Sequence, residues 1–257
     1  MKFDTMLCNP PYQLGKNANF YREFIELSKT AVVENGGLVF VTPNRYCMNG
    51  SKTTELINKF QLHSVKWNAS VDFPGVGTFI GAYVATNKKT VDNSSVSVKF
   101  DRFDRTIDFT KESIPPKPID NELKLSICKK FLDYPKKCEV VKERTDGTVF
   151  ICRQWTSWVP DDGTKSGVVF NVVTDEKTDG KIYLIEGDVE VFRWFVSRSL
   201  FMRFISRNFS SGMNVSPQVS RNIPDIGYQS TISDQGVFDE FELTEDEISY
   251  VRSEMYK

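Results

Sequence analysis

The stretch Phe3-Asp-Thr-Met-Leu-Cys-Asn-Pro-Pro-Tyr12 determines the architecture of the first part of the chain. Residues 3–8 are predicted to form a short strand. The Asn-Pro-Pro sequence must then leave regular structure, because proline lacks an N–H donor and disfavours helix at the residue before it. In open parallel α/β sheets, ligands bind just past the carboxyl ends of strands. We therefore expect a binding site at residues 9–12.

Strand-like and helix-like segments alternate downstream of this turn. Apolar residues recur at helical spacing over residues 20–34, and Gly36-Gly37 is expected to end that helix. The continuous apolar run Leu38–Thr42 predicts a strand buried on both faces. A second helix and two further strands are expected at Thr53–Phe60, His63–Ala69 and Thr78–Thr86. This β-α-β-α-β-β order predicts an α/β fold with a largely parallel sheet.

The rest of the chain is predicted to be an α+β region. The polar tract 87–97 is the expected boundary between two domains, 1–97 and 98–257. Two longer helices are expected at Asn121–Leu132 and Asp188–Phe209, with Asp188 as N-cap. Short strand-like runs lie between them, at Thr148–Arg153, Gly167–Val173 and Lys181–Ile185. Near the end of the chain, Thr244 and Glu247 have the spacing of a capping box.

Composition excludes several classes of protein. The 257 residues carry a formal net charge of -1, which argues against a uniformly basic nucleic-acid binder but allows a local basic face. The five cysteines include no Cys-x-x-Cys pair, and there is one histidine, so neither a metal site nor a disulfide framework is expected. With no apolar segment of membrane-spanning length, we expect a cytoplasmic protein that does not contact a membrane.

The Asn-Pro-Pro-Tyr turn carries groups that suit the amine of a planar base. The exocyclic amine of adenine is a poor nucleophile, because its lone pair is delocalised into the ring. The Asn9 side-chain oxygen and the Pro10 carbonyl can accept its hydrogens and favour the tetrahedral nitrogen that forms during attack. Pro10 and Pro11 stiffen the turn, which preorganises these acceptors. Tyr12 is expected to stack on the base, which must first be flipped out of a duplex.

The first 86 residues resemble adenine-specific DNA methyltransferases, most closely those of type IIG restriction-modification systems. Phe3–Gln13 resembles motif IV of that family, and Gly36–Arg45 and Val71–Thr86 resemble the segments that follow it. The resemblance implies a partial Rossmann-like methyltransferase sheet, with S-adenosylmethionine as the methyl donor. It also implies that Phe73 packs on the face of the flipped adenine opposite Tyr12, and that Asn44 and Arg45 line the same cleft.

The second half resembles the ends of these methyltransferases less closely. The similar segments are Phe201–Asn208, Asn214–Pro217, Arg221–Pro224 and Phe241–Ile248. This order implies a target-recognition region at 98–257 that binds double-stranded DNA. In the major groove, arginine can read guanine and glutamine can read adenine. The candidate DNA-binding residues are Arg45, Arg153, Gln154, Arg198, Arg203 and Arg207. Purely structural roles for these side chains remain open.

The turn by which this family binds S-adenosylmethionine, aromatic-x-Gly-x-Gly after a strand, is not recognisable in the sequence. In the family, the strands that carry it pair beside the strand that ends at the Asn-Pro-Pro-Tyr motif. Strand 3–8 is therefore expected to be an apolar sheet edge. We predict that a second chain covers this edge, either a cofactor-binding subunit or another copy of this chain. The cofactor would then be bound mainly by that partner or by a segment outside this sequence.

Three functions remain open from the sequence. The first is methylation of the exocyclic amine of adenine in DNA, as one part of a split or multi-chain enzyme. The second is a catalytically incomplete methyltransferase-like protein that binds DNA or acts against restriction systems. The third is methylation of glutamine or RNA, because such enzymes use the same four residues. The long C-terminal region disfavours the third, since a protein substrate would not require a DNA-reading domain.

Overall fold

The computed structural model describes residues 2–12, 19–44, 51–73, 79–115, 117–143, 148–152, 157–158, 167–168, 171–173, 180–209 and 217–256. The chain divides into two compact units, Met1–Leu125 and Ser126–Lys257.

The first unit is an α/β structure built on a six-stranded sheet, which confirms the predicted fold class. Its helices are α1 (Tyr21–Ala31) and α2 (Lys52–Ile57). Its strands are β1 (Phe3–Cys8), β2 (Val32–Pro43), β3 (Gln61–Lys66), β4 (Ile80–Thr86), β5 (Val96–Lys99) and β6 (Asp104–Ile107). The strand order is β1-β2-β4-β3-β5-β6.

The sheet is mixed, and the prediction of a largely parallel sheet is wrong. β1 pairs with β2, and β3 with β5, in parallel. β4 runs antiparallel to both β2 and β3, and β6 runs antiparallel to β5. Parallel neighbours need a long crossover, usually a helix, whereas antiparallel neighbours need only a turn or loop. In the described part of the connection between β3 and β4, the helical element is a single 3-10 turn at Ser70–Asp72, and β4 pairs with β3 in the opposite direction.

The two glycines expected to end the first helix lie inside β2. Helix α1 ends at Ala31, and the β1–β2 register shifts between its Phe3 and Thr5 pairings. A Cβ at Gly36 would lie 2.8 Å from the carbonyl oxygen of Asp4 on β1. Glycine is therefore needed here for the close approach of two strands at an irregularity, a common role for glycine in sheets.

The first unit extends beyond the predicted boundary at residue 97. That boundary falls inside the sheet, because β5 pairs with β3 and β6 continues the sheet as a hairpin. The polar tract before β5 is a hydrogen-bonded connection. The Asn93 side chain accepts from the Leu62 N–H at 2.8 Å and donates to the Phe60 carbonyl at 3.0 Å. The tract has the polar composition of a linker, but its asparagine side chain satisfies backbone groups of the fold.

Helices α1 and α2 and the sheet share one buried apolar cluster. Tyr21 and Ile25 of α1 and Leu56 of α2 contribute to it, together with Phe40 of β2 and Tyr83 of β4. Burying side chains of this size stabilises a fold by about 1.5–3 kcal/mol each. The cluster holds α1 against the sheet, and so places the start of α1 beside the turn that follows β1.

The second unit combines helices with antiparallel strands, as expected for an α+β region. Its strands are β7 (Glu139–Val141), β8 (Thr148–Cys152), β9 (Ser157–Trp158), β10 (Gly167–Val168), β11 (Asn171–Val173) and β12 (Gly180–Leu184). One sheet has the order β11-β8-β12-β7, and β9 pairs with β10. The helices are α4 (Val189–Arg198), α5 (Leu200–Phe209), α6 (Pro217–Arg221), α7 (Asp234–Glu240) and α8 (Glu245–Tyr256). Helix α3 (Glu122–Asp133) contains the division between the units.

The long helix predicted at 188–209 is two helices that meet at Ser199. Ser199 has an extended ψ of 138°, and its hydroxyl accepts from the Met202 N–H at 3.3 Å. The Asp234 carboxylate accepts from the Leu200 N–H at 2.7 Å. These contacts satisfy N–H groups at the start of α5, which permits the break. The predicted Asp188 cap is confirmed, since its carboxylate accepts from Glu190 N at 2.7 Å.

The predicted capping box at α8 is also confirmed. The Thr244 N–H donates to Glu247 Oε2 at 2.8 Å, and the Glu247 N–H donates to Thr244 Oγ1 at 3.3 Å. In the described ranges, no helix has both the length and the apolar character needed to cross a membrane.

Candidate functional site

Three sequence segments reach the same end of the first sheet. The strand registers place the ends of β1, β2 and β3 and the start of β4 there. The Asn9–Tyr12 turn follows β1, Asn44 follows β2, and residues 67–73 follow β3. Sites at the carboxyl ends of strands are built in this way from separate segments. The candidate residues Asn9, Tyr12 and Phe73 therefore lie on segments that meet at one end of the sheet.

The turn after β1 presents an amide and an aromatic ring. Asn9 and Pro11 are exposed, Pro10 is buried and Tyr12 is half-buried. The Tyr12 hydroxyl donates to Asn9 Oδ1 at 3.3 Å. Its ring meets the buried ring of Tyr21 edge to face, with the centroids 6.4 Å apart. Partial burial raises the pKa of Tyr12, so its hydroxyl is a protonated donor at neutral pH.

Asn44 is a buried connection between strand ends, with 1% of its surface exposed. Its side-chain amide donates to the Trp67 carbonyl, and its Oδ1 accepts from the Tyr83 hydroxyl at 3.3 Å. Its N–H donates to the Phe79 carbonyl at 2.8 Å. A Cβ at Gly81 would collide with Asn44 Oδ1. The predicted cleft-lining role is wrong for this side chain, because its polar atoms bond to the ends of neighbouring strands.

Asn44→Ala is expected to lower the free energy of unfolding of the first unit by about 2–3 kcal/mol. The change leaves the buried Trp67 carbonyl and Tyr83 hydroxyl without these bonds, and an unsatisfied buried polar group costs about 1–3 kcal/mol. Urea denaturation followed by tryptophan fluorescence measures the effect. The same substitution at exposed Asn9 is the matched control, with an expected change within about 0.5 kcal/mol. Equal changes for the two variants would contradict the assigned role of Asn44.

Phe73 follows a single 3-10 turn at Ser70–Asp72 and is half-buried. Its N–H donates to the Ser70 carbonyl at 3.1 Å. The turn is tied to the end of β3 by an ion pair of 2.6 Å between Lys66 Nζ and Asp72 Oδ2. Within the described residues, no ring contact joins Phe73 to Tyr12. The stacking role of Phe73 stays a prediction.

The three described DNA-binding candidates of the second unit differ in exposure. Arg198, at the end of α4, is exposed. Arg207 is half-buried and donates to the Glu254 carbonyl at 3.0 Å. Arg203 is 2% exposed, so its guanidinium is not accessible to a phosphate. Three further candidates lie outside the described residues: Arg45, Arg153 and Gln154.

Tyr21 and Arg22 lie beside the Asn9–Tyr12 turn, and the sequence did not identify them as candidate site residues. Arg22 Nε donates to Thr53 Oγ1 at 3.0 Å, and the Tyr21 hydroxyl lies 2.9 Å from the same oxygen. The Arg22 guanidinium carbon is 5.8 Å from the centroid of the Tyr21 ring. These contacts depend on the packing of α1 against α2, and no spacing within one segment signals them.

The described residues include no group of three or more His, Cys, Asp or Glu that could hold a metal ion. On the described segments that follow β1, β2 and β3, the carboxylate present is that of Asp72, and it pairs with Lys66 at 2.6 Å. The ribose of a nucleoside cofactor is typically held by a carboxylate. Because the Asp72 carboxylate is already engaged, these segments do not fit S-adenosylmethionine by themselves.

Comparison with known proteins identified solved structures only. No family model and no curated protein matches the chain. The chain is similar to the M protein of the type I restriction enzyme EcoKI, with 20% identity over 38% of this chain and 25% of that chain, and a TM-score of 0.31. A second similar structure, from a type I R-M system, has 15% identity over 38% of this chain and 23% of that chain, with a TM-score of 0.30.

The chain thus spans about a quarter of the length of these two structures.

Proposed function

We propose that this chain supplies the target-base half of an adenine-specific DNA methyltransferase site. Asn9 and Pro10 hold the exocyclic amine, and Tyr12 stacks on the flipped base. S-adenosylmethionine supplies the methyl group when it is bound mainly by a partner chain. The observation that carries the proposal is the position of the turn. The stiff Asn9–Tyr12 segment follows a strand of an α/β sheet, with Asn9 exposed and Tyr12 half-buried.

The chemistry required of these residues is hydrogen bonding and stacking. The amine nitrogen must lose its conjugation with the ring as it attacks, and two acceptors on its hydrogens favour that change. In the structure, Asn9 Oδ1 accepts from the Tyr12 hydroxyl at 3.3 Å. This distance is long for an O–H···O bond, whose usual range is about 2.5–3.0 Å. An incoming amine can therefore replace a weak contact, while the prolines keep the acceptors in place.

Phe73 is proposed to contact the second face of the base. It lies on the segment that follows β3, at the same end of the sheet as Tyr12, and it is half-buried. Base–aromatic stacking contributes about 1–3 kcal/mol per base and does not depend on sequence. Two rings from separate segments would hold an extruded adenine while the turn holds its amine.

The β1 edge supports the proposal that a partner chain completes the site. Within the described residues, β1 has β2 as a sheet neighbour on one side only. Phe3 is 52% exposed and Leu7 is 78% exposed. Leu7 is in register with Val39, which is in register with Val84, and Val84 is 42% exposed. The unpaired backbone groups of β1 favour pairing with another strand, and the row from Leu7 to Val84 adds exposed apolar surface on one face of the sheet beside that edge. A cofactor-binding subunit or a second copy of this chain is therefore proposed to cover it.

Tyr12→Ala is expected to weaken binding of an unpaired adenine in DNA by roughly 5- to 150-fold, because stacking contributes about 1–3 kcal/mol. Tyr12→Phe keeps the ring and removes the hydroxyl that occupies Asn9 Oδ1, so its binding should match or exceed that of the wild type. Fluorescence anisotropy with a labelled duplex measures both variants. A Tyr12→Phe protein as weak as Tyr12→Ala would show that the hydroxyl, and not the ring, contacts DNA.

Methyl transfer tests the proposed function directly. The tagged chain is purified from its native cells with its bound partners and incubated with DNA and S-adenosylmethionine labelled in the methyl group. The expected product is label on N6 of adenine, and the chain produced alone should bind the cofactor weakly or not at all. Label found in RNA or on glutamine instead would overturn the proposal. Tight stoichiometric cofactor binding by the chain alone would contradict a site completed by a partner.

A further inference from the structure

A fixed arginine lies beside the target-base turn. Arg22 is the second residue of α1 and is half-buried. Its Nε donates to Thr53 Oγ1 at 3.0 Å, and its guanidinium carbon is 5.8 Å from the centroid of the Tyr21 ring. The same Tyr21 ring meets the edge of Tyr12, with 6.4 Å between centroids. One buried aromatic ring therefore contacts both the guanidinium and the residue proposed to stack on the base.

These contacts restrict the guanidinium before any ligand binds. The Thr53 hydroxyl that accepts from it is buried and also lies 2.9 Å from the Tyr21 hydroxyl. A flexible arginine loses up to about 2 kcal/mol of rotamer entropy when it is ordered. Because Arg22 is already held by a hydrogen bond and a ring contact, part of that loss precedes binding. Its half-buried state leaves part of the side chain accessible to a ligand.

The position of Arg22 is unfavourable for the helix that carries it. The amino-terminal end of a helix carries partial positive charge, so a cation in the first turn is disfavoured by some tenths of a kcal/mol. Glu23 follows in the same turn and reduces that repulsion. The electrostatics of α1 therefore do not account for an arginine here. The backbone N–H groups of Arg22 and Glu23 already donate to the Asn19 and Phe20 carbonyls, at 3.0 and 3.1 Å. The group that favours an anion here is therefore the Arg22 guanidinium.

We propose that Arg22 binds a DNA phosphate next to the extruded adenine. This inference rests on the proposed function and identifies a group that positions DNA on the site. Extrusion turns a nucleotide out of the stack about its backbone, so the phosphates beside it must be held in a new place. A guanidinium makes short, often bidentate hydrogen bonds to phosphate, and phosphate contacts fix the register of DNA on a protein.

The salt dependence of binding tests this contact. The probe is a short duplex with one adenine opposite an abasic site, because an unpaired base is the least costly to extrude. Binding is measured by anisotropy across a series of salt concentrations for the full chain and its variants. Arg22→Gln should weaken binding and reduce the slope of log K against log salt by about 0.9, the value for one lost phosphate contact.

Two further variants separate position from charge. Arg105→Gln removes the same charge from an exposed site on β6, at the opposite edge of the sheet from β1, and should leave the slope unchanged. Arg22→Lys keeps the charge but not the planar fork, so the slope should persist while affinity falls several-fold. If Arg22→Gln fails to fold, Arg22→Met serves as the uncharged variant, and an unchanged slope in that protein would overturn the proposal.

The remaining outcomes are equally decisive. An unchanged slope in a folded Arg22→Gln protein would show that Arg22 does not bind phosphate. If that protein still prefers the unpaired adenine as the wild type does, the proposed function stands. A wild-type chain that binds cytosine and adenine opposite an abasic site equally well would overturn the adenine site itself. If Arg105→Gln reduces the slope of log K against log salt as much as Arg22→Gln does, the reduction is caused by net charge and not by a contact at Arg22.

Discussion

Asn9→Ala should lower the rate of adenine methylation by the partner-completed complex by about 10²–10³-fold, which is the usual effect of removing one preorganised electrostatic partner. The substitution removes the side-chain acceptor and leaves the Pro10 carbonyl. Because Asn9 is exposed and its described side-chain contact is the 3.3 Å bond from Tyr12, the fold should not change. Initial rates with saturating DNA and labelled cofactor measure the effect.

Asn9→Asp is the matched variant for this prediction. Aspartate keeps an acceptor oxygen at the same place, so the rate should stay well above that of Asn9→Ala. The free energy of unfolding of both variants should lie within about 0.5 kcal/mol of the wild type, as is usual for surface positions. Equal rates for Asn9→Ala and the wild type would remove Asn9 from the chemistry. They would favour the second function open from the sequence, a DNA-binding protein without catalysis.

Gly187→Ala should destabilise the second unit by about 3–5 kcal/mol, which is at the upper end for single substitutions. Gly187 has a φ of +122°, a conformation that residues with a Cβ rarely adopt. An added Cβ would collide with the Tyr228 carbonyl oxygen and lie 2.9 Å from its carbonyl carbon. That oxygen already accepts from the Asp188 N–H at 2.8 Å, so relief of the collision would displace the N-cap of α4.

Gly227→Ala is the control for this substitution. Gly227 also has a positive φ, of +64°, but an added Cβ there would have no heavy atom within 4 Å. The expected loss is about 1–2 kcal/mol, from left-handed backbone strain alone. Urea denaturation measures both variants. A loss at Gly187 no larger than that at Gly227 would contradict the close packing of residue 187 against Tyr228.

The sequence predicted the elements that depend on local pattern. The strand at 3–8, the helix at 121–132 and the caps at Asp188 and Thr244 all follow from spacing within a few residues. Such signals lie in one segment and do not depend on distant contacts. The Asn9–Tyr12 turn was recognisable for the same reason, because two successive prolines after an apolar strand restrict the backbone whatever surrounds them.

Features that depend on distant contacts were predicted less well. The mixed sheet depends on where β4 inserts, between β2 and β3, and apolar runs alone do not give strand direction. The Gly36-Gly37 pair resembles the end of a helix, but glycine is needed at position 36 because the Asp4 carbonyl oxygen of β1 lies close to it. The role of Asn44 depends on Trp67 and Tyr83. In each case the decisive neighbour is remote in sequence, so no local pattern reveals it.

The most direct test of the central claim is the binding of the chain alone to three duplexes. One carries adenine opposite an abasic site, one carries cytosine opposite an abasic site, and one carries adenine paired with thymine. If residues 9–12 hold an extruded adenine, the first duplex should bind at least about tenfold more tightly than the paired one, because unpairing costs a few kcal/mol. It should also bind more tightly than the cytosine duplex, because the single ring of cytosine offers less area for stacking. Asn9→Ala and Tyr12→Ala should abolish that preference. Equal affinity for all three duplexes would contradict the account.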